Sequence, residues 1–231
     1  MRKTCLAVSI AVWVNALFPI TTLAAQVNLL RNPSFESPLV PSGASATFPL
    51  GSNVDGWTVV GAPGNVAVVS GASTVNGFHL QADTGAQWLN LAGTSSTATG
   101  VEQTVPTMPG TLYDFSIAIG SVFNPGGSLG TSSSVNVFVN GVFQSGGQIF
   151  GSSLGVPNAI GWGGIGFRMA ATTDAVTLRI VNGDSPSDTL SGIDTVFFGP
   201  TLIPEPPISA LLLVGMAAFL CRRRWIDTAR T

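Results

Sequence analysis

The sequence predicts an all-β protein, a single jelly-roll-like β-sandwich flanked by an N-terminal signal helix and a C-terminal transmembrane helix. Three observations lead there. Between Gln26 and Pro200 no helix-length stretch repeats its apolar residues at helical spacing, whereas many short runs alternate apolar and polar residues and are separated by Gly, Pro, Asn and Ser. The N-terminus passes from basic to apolar to small residues. The C-terminus carries an apolar run closed by arginines.

In chain order, Arg2 and Lys3 precede an apolar stretch from Leu6 to Ile20, and small residues follow at Ala24 and Ala25. The stretch is shorter than the ~20 residues a spanning helix needs, and the alanine pair sits where signal peptidase cuts. Residues 1–25 read as a signal peptide, with the Sec translocon and signal peptidase as partners and a mature chain that begins near Gln26.

The strands of the 26–200 domain follow. Gly64–Val69, Gln87–Leu91 and Val101–Val105 are short candidates. From Tyr113 to Ile119 the large residues Tyr113, Phe115, Ile117 and Ile119 alternate with Asp114, Ser116 and Ala118, which gives a strand with one buried face. Val135, Val137 and Val139 repeat the arrangement before Asn140-Gly141, Val142 and Phe143. Asn-Gly between two such runs signals a hairpin, because both residues tolerate the positive φ of a type I′ turn. Val176, Leu178 and Ile180 alternate again and are followed by a second Asn-Gly at Asn182-Gly183, and Val196–Phe198 closes the domain. Gly93–Gly100 and Pro125–Ser134 read as exposed loops. About eight strands without a fixed repeat suit a two-sheet sandwich or jelly roll, not a solenoid.

Composition narrows the chemistry. The two cysteines, Cys5 and Cys221, lie in the terminal apolar runs, so no disulfide framework holds the domain. Its only cations are Arg31, Arg168 and Arg179, against nine acids, a net charge of −6. With no lysine and no basic stripe, nucleic acid is excluded as a partner, since binding it depends on neutralising phosphates. Gly151-Ser152-Ser153-Leu154-Gly155 fits a nucleophile-elbow pattern, but the single histidine, His79, precedes it and no strand-to-helix turn surrounds it. Gly161–Gly166 fits G-x-G-x-x-G, yet Phe167–Ala170 reads as strand and offers no helix N-terminus for a pyrophosphate. One histidine and no cysteine leave too few ligands for a zinc enzyme. Asp184 and Asp188 flank a turn without a spacing that marks a glycosidase pair, and the domain reads as non-enzymatic, with a secreted polysaccharide-active hydrolase as the alternative.

The tail, residues 201–227, has three parts. Pro204, Glu205, Pro206 and Pro207 forbid helix and keep an extended segment; Ile208–Cys221 is uncharged; Arg222, Arg223 and Arg224 follow, with Trp225 behind them. At ~1.5 Å per residue the apolar run covers roughly 21 Å, less than a ~30 Å hydrocarbon core, a shortfall that snorkelling arginines make good. The arginines act as a cytoplasmic stop by the positive-inside rule. Pro204-Glu205-Pro206, a short apolar helix and a basic end resemble the PEP-CTERM sorting domain, also catalogued as an ice-binding protein C-terminal domain. The resemblance implies a Gram-negative producer of extracellular polysaccharide and recognition of the tail by exosortase. It also implies a chain anchored in the inner membrane by 208–221 until it is processed to the cell surface or released.

The exported region carries a second resemblance. Asn28-Leu29-Leu30, Asn32-Pro33-Ser34-Phe35-Glu36, Gly56-Trp57, Val101–Val105 with Pro109-Gly110 and Tyr113, and Ile193-Asp194-Thr195-Val196 are similar to the galactose-binding-domain-like jelly roll, a superfamily with many carbohydrate-binding modules and the DUF642-type plant wall proteins. In many members a glutamate after the N-terminal motif and an aspartate on the last strand hold a structural calcium, and the matching residues are Glu36 and Asp194. Sugar binding by such a sandwich uses exposed aromatic rings. Trp57 reads as core, and Trp162 and Trp88 as the ligand-facing candidates. The resulting expectation is a surface or matrix protein that binds exopolysaccharide.

Overall fold

In the computed structural model, residues 26–202 are described. The signal peptide expected at 1–25 and the sorting segment, with Pro204–Pro206, the 208–221 run and Arg222–Arg224, lie outside the described residues. Gln26–Thr201 forms one compact unit that contains every buried core residue among the described residues.

The strands, numbered along the chain, build two antiparallel sheets of six. The first runs from edge to edge as β1 (Ser45–Pro49), β4 (Asn65–Ser70), β7 (Gln87–Asn90), β14 (Gly192–Pro200), β9 (Leu112–Ser121) and β12 (Gly161–Ala170). The second runs as β11 (Val142–Phe150), β10 (Ser132–Val139), β13 (Ala175–Asn182), β8 (Thr99–Pro106), β3 (Trp57–Gly61) and β2 (Asn53–Val54). A small hairpin, β5 (Thr74–Val75) with β6 (Phe78–His79), stands apart. The chain crosses repeatedly between the sheets, which is the sandwich the sequence predicts.

The core follows from the period of two. Val135, Val137 and Val139 face inward with Val176, Leu178 and Ile180, and meet Tyr113, Phe115, Ile117 and Ile119 from the other sheet. Each such side chain, fully buried, contributes about 1.5–3 kcal/mol. Gln103 breaks the alternation on β8. Buried among apolar neighbours, it accepts from the amide of Arg31 and donates to the Arg31 carbonyl, sealing the entering segment against the sheet. Asn28 extends that seal by donating to the Val196 carbonyl and accepting from the Phe198 amide.

Asn140 and Gly141 have φ of 49° and 77°, the type I′ pair expected, and join β10 to β11. The second Asn-Gly behaves differently. Asn182 ends β13 as a buried strand residue whose side chain donates to the Thr97 carbonyl and accepts from the Asp184 amide, and neither it nor Gly183 has a positive φ. It anchors a long connection and makes no hairpin.

The strand read at Phe167–Ala170 begins earlier than the sequence suggests, since Gly161–Ala170 is one ten-residue strand. Glycine masks its alternation because neighbours occupy the space a side chain would take. A Cβ on Gly161 would strike the Leu154 side chain and one on Gly163 the Ile149 side chain. Gly151–Leu154 is a single 3₁₀ turn, which offers no nucleophile elbow. Among the described residues no helix is long and apolar enough to cross a membrane.

A second apolar cluster covers the outer face of the first sheet. Val69 and Trp88 from the sheet pack with Leu80, Leu129, Ile160 and Leu190, and Phe78 and Trp162 lie at its rim.

Candidate functional site

At one end of β4 and β7 an open cleft of about 680 Å³ is lined by residues 39–42, 70–72 and parts of 79–87. Its walls are loops, and buried side chains hold each of them. Gln87, 1 % exposed, is the central brace. Its Oε1 accepts from the Val40 amide, and its Nε2 donates to the carbonyls of Phe35 (2.9 Å) and Pro38 (3.1 Å). The Ser70 hydroxyl accepts from the amides of Gly43 (3.1 Å) and Ala72 (3.2 Å), fixing two lips of the cleft. The indoles of Trp88 and Trp162 donate to the carbonyls of Leu80 (2.9 Å) and Gln81 (3.0 Å), so the rings set the height of the third wall.

Glu36 and Asp194, the residues singled out by resemblance, converge on that wall. One Glu36 oxygen accepts from the amides of Ala86 and Gln87, both at 2.9 Å. Asp194 Oδ2 accepts from the amides of Asp83 and Thr84, both at 3.0 Å, and its Oδ1 from the amide of Thr195 at 2.7 Å. Asp194 is fully buried, and burial raises its carboxyl to about 7 against the pull of those amides. It sits at a bulge in β14, where Thr195 takes φ 47°. That left-handed conformation costs a branched residue about 1–2 kcal/mol, which the Thr195 bonds to Asp194 and to the Asp83 carboxylate offset.

The donor chemistry does not match calcium. Calcium takes 6–8 oxygen ligands, whereas three lone-pair regions on these carboxylates already face N–H groups, whose positive ends repel a cation. Among the described residues no group of three or more His, Cys, Asp or Glu is placed to share a metal. In this arrangement the two carboxylates brace the 83–87 turn directly.

Trp88 and Trp162 meet edge to face at 6.0 Å. The expectation of a ligand-facing Trp88 is corrected: at 1 % exposure its ring offers no face, although it underlies a second hollow of about 260 Å³ between β1, β7 and the 189–190 segment. Trp162 is half-buried and turned over Gly120, so it braces the wall and does not project into solvent. Trp57 is core as expected, its indole donating to the Asn32 carbonyl.

The groups that do face the cleft are ones the sequence did not single out for binding. His79 is exposed, with Nδ1 3.2 Å from the Thr74 hydroxyl, and the Ser42 hydroxyl and Gln81 amide, also exposed, bond to no other described residue. Leu39, 80 % exposed, supplies an apolar lip. No aspartate, glutamate, lysine or arginine lines the cleft. The only local signal in the sequence was a polar glutamine opening the otherwise buried Gln87–Leu91 run.

The remaining charges are placed elsewhere. Each arginine of the domain is paired, Arg31 with Asp55, Arg168 with Asp114 (2.7 Å) and Arg179 with Glu102 (2.7 Å). The Arg168 bond holds the Asp114 carboxyl below its usual range. Asp184, raised to about 7 by burial, accepts from the Ser134 amide and has its other oxygen buried without a partner. It lies outside the cleft.

Among solved structures the chain is similar to an arabinose-bound GH51 α-L-arabinofuranosidase at 16 % identity and TM-score 0.46, which covers 79 % of this chain and 28 % of that one. The chain therefore spans little more than a quarter of that enzyme. It is similar to a CBM61 in complex with β-1,4-galactotriose at 18 % identity and TM-score 0.43, covering 76 % and 99 %. The CBM22-1 xylan-binding domain of Paenibacillus barcinonensis Xyn10C matches at 15 % and 0.40, covering 71 % and 99 %. No curated protein matches. The family model described as "Protein of unknown function (DUF642)" matches residues 28–202, the whole sandwich from Asn28 to the end of the described chain, and the protein belongs to that family.

Proposed function

We propose that residues 26–201 are a non-catalytic module that holds a neutral polysaccharide in the cleft between 39–42, 70–72 and 79–87. The observation that carries this is the cleft's lining: hydroxyl, amide and imidazole groups beside an apolar lip, with no formal charge. A polyhydroxylated chain presents C–H faces and hydroxyls together and needs this mixture, whereas a phosphate or a peptide acid needs a cation that the cleft lacks. Because buried side chains already hold the walls, little ordering entropy is lost when a ligand binds.

The experiment is a glycan array with the 26–201 segment, followed by calorimetry on the best glycan. His79→Ala and Gln81→Ala are each expected to weaken binding about threefold to tenfold, the worth of one hydrogen bond. Absence of any glycan binding, or variants that bind as the parent does, overturns the proposal, and release of shortened polymer replaces it with the hydrolase reading.

We further propose that the module belongs to an exported, surface-sorted chain. The support is sequence alone: a signal-peptide pattern at 1–25 and Pro204-Glu205-Pro206, an apolar 208–221 run and Arg222–Arg224 in order. In a host with exosortase, Pro204→Ala with Glu205→Ala is expected to leave an unprocessed, membrane-retained chain. Unchanged size and location of that variant count against exosortase as the partner.

A further inference from the structure

The two sheets of the sandwich have four edges, and they are not alike. β1 has five residues and ends in Pro49, and β2 has two. On the opposite flank lie β11 and β12, nine and ten residues long. Proteins protect long edges with charge, proline or bulges. Here the run Gly161–Phe167 has neither charge nor proline, and the bulge opposite Val137/Phe138 lies near the start of β11, leaving Ser145–Ile149 regular. β12 pairs only with β9, and β11 only with β10, among the described strands. The inward side chains of β12, Ile165 and Phe167, stay partly exposed although they pack on the core.

The register of that flank is self-complementary. A Cβ on Gly147 would strike Ile165, and one on Gly163 would strike Ile149, so residues 147 and 165, and 149 and 163, are stacked across the two sheets. Gln148 is therefore level with Gly164. An axis perpendicular to the sheet, passing midway between the Gly164 residues of two copies, pairs β12 with β12 so that Trp162 falls opposite Gly166 and Gly163 opposite Ile165. The same axis sets Gly147 of β11 opposite Ile149 and Gln148 opposite Gln148. At each of these pairs a bulky side chain meets a glycine or a glutamine meets its like.

We propose that the protein forms a two-fold dimer through this flank, with β12 adding antiparallel to β12 about Gly164 and β11 approaching β11 about Gln148. The partner is a second copy because an isologous contact requires a patch that matches itself under rotation, and this one does. The sheets then run on through the dimer, the unpaired edge groups of β12 find partners, and two clefts act on one repeating polymer with raised effective concentration.

The segment 26–201 contains no cysteine, so Gly164→Cys is a clean probe. Gly164 has an ordinary φ and is exposed, and its new Cβ would lie 3.3 Å from the Ile117 carbonyl, a contact that small adjustments relieve. Residues opposed on an axis have Cα atoms about 4.5–5.5 Å apart, within the ~4.4–6.8 Å reach of a disulfide. Mild oxidation is expected to convert G164C to a disulfide dimer, while Thr104→Cys, on the exposed face of β8, stays monomeric. Light scattering of the parent at concentrations on the order of 100 μM is expected to give twice the chain mass. Gln148→Lys and Gln148→Glu are each expected to give single-chain mass with unchanged melting of the monomer fold, and their mixture to restore the doubled mass. A parent of single-chain mass, G164C that does not cross-link, or separate Q148K and Q148E chains that still dimerise overturns the proposal.

Discussion

Replacing Gln87 with methionine keeps the length and approximate volume of the side chain but removes its polar atoms. The Val40 amide and Phe35 carbonyl, in residues 7 % and 0 % exposed, lose their partner, as does the less buried Pro38 carbonyl. A buried group left unsatisfied costs about 1–3 kcal/mol. With two groups bearing the larger share, the expected loss is about 3–5 kcal/mol, a large part of the ~5–15 kcal/mol that holds a domain together. At ~2–4 °C per kcal/mol for a domain of this size, the melting temperature falls by roughly 6–20 °C. Urea unfolding of the 26–201 segment, followed by tryptophan fluorescence, measures the free energy. Glycan affinity is expected to fall as well, because residues 38–42 lose the brace that shapes their side of the cleft. A Q87M protein within about 1 kcal/mol of the parent refutes the reasoning, since it means water or backbone shifts satisfy these groups at no cost.

Asp184 predicts a pH dependence. Its folded value is raised to about 7 while the unfolded value is ~3.9, so the folded state keeps the proton longer and stability falls as pH rises from about 4 to about 7. Asp184→Asn is expected to match the parent near pH 4 and exceed it near pH 8 in urea unfolding, and a variant weaker near pH 8 contradicts this. With amides already on Glu36 and Asp194, melting is expected to be the same in calcium and in chelator. A structural ion at a hundred times its Kd would add about 2.7 kcal/mol, a shift that scanning calorimetry detects easily. Trp162→Phe removes the donor to the Gln81 carbonyl but keeps the contact with Trp88. Calorimetry is expected to show glycan affinity reduced about threefold to tenfold; unchanged affinity means the height of that wall does not matter.

The strands most legible in the sequence are those whose signal is local. Tyr113–Ile119 and Val135–Val139 alternate residue by residue, and the Asn140-Gly141 turn between β10 and β11 is specified by the φ its two residues tolerate. Only the second part of β12 is legible, because the glycines of its first part carry no polarity and are small for the sake of Leu154 and Ile149, contacts that no window of sequence contains. The same holds for the tryptophans. Trp162 stands among glycines in the sequence and looks exposed, but the chain folds it over Gly120 and against Trp88. The site residues are half legible: Glu36 and Asp194 follow from resemblance and Gln87 stands out as a polar residue opening a buried run, while Gln81 and His79 come to the cleft only where three loops meet.

By itself, the sequence determined the all-β class, the net charge of −6 over residues 26–200, the lack of any cysteine among them and one hairpin turn, because composition and period-two alternation are properties of neighbouring residues. The tertiary structure alone decided which polar groups remain for a ligand. Glu36 meets amides 50 and 51 positions away and Asp194 meets amides 110 and 111 positions away, so whether those carboxylates hold a cation or a loop depends on the path of the backbone between them. Neither carboxylate lines the cleft, whose lining holds no Asp, Glu, Lys or Arg, and the ligand class proposed for it follows from that.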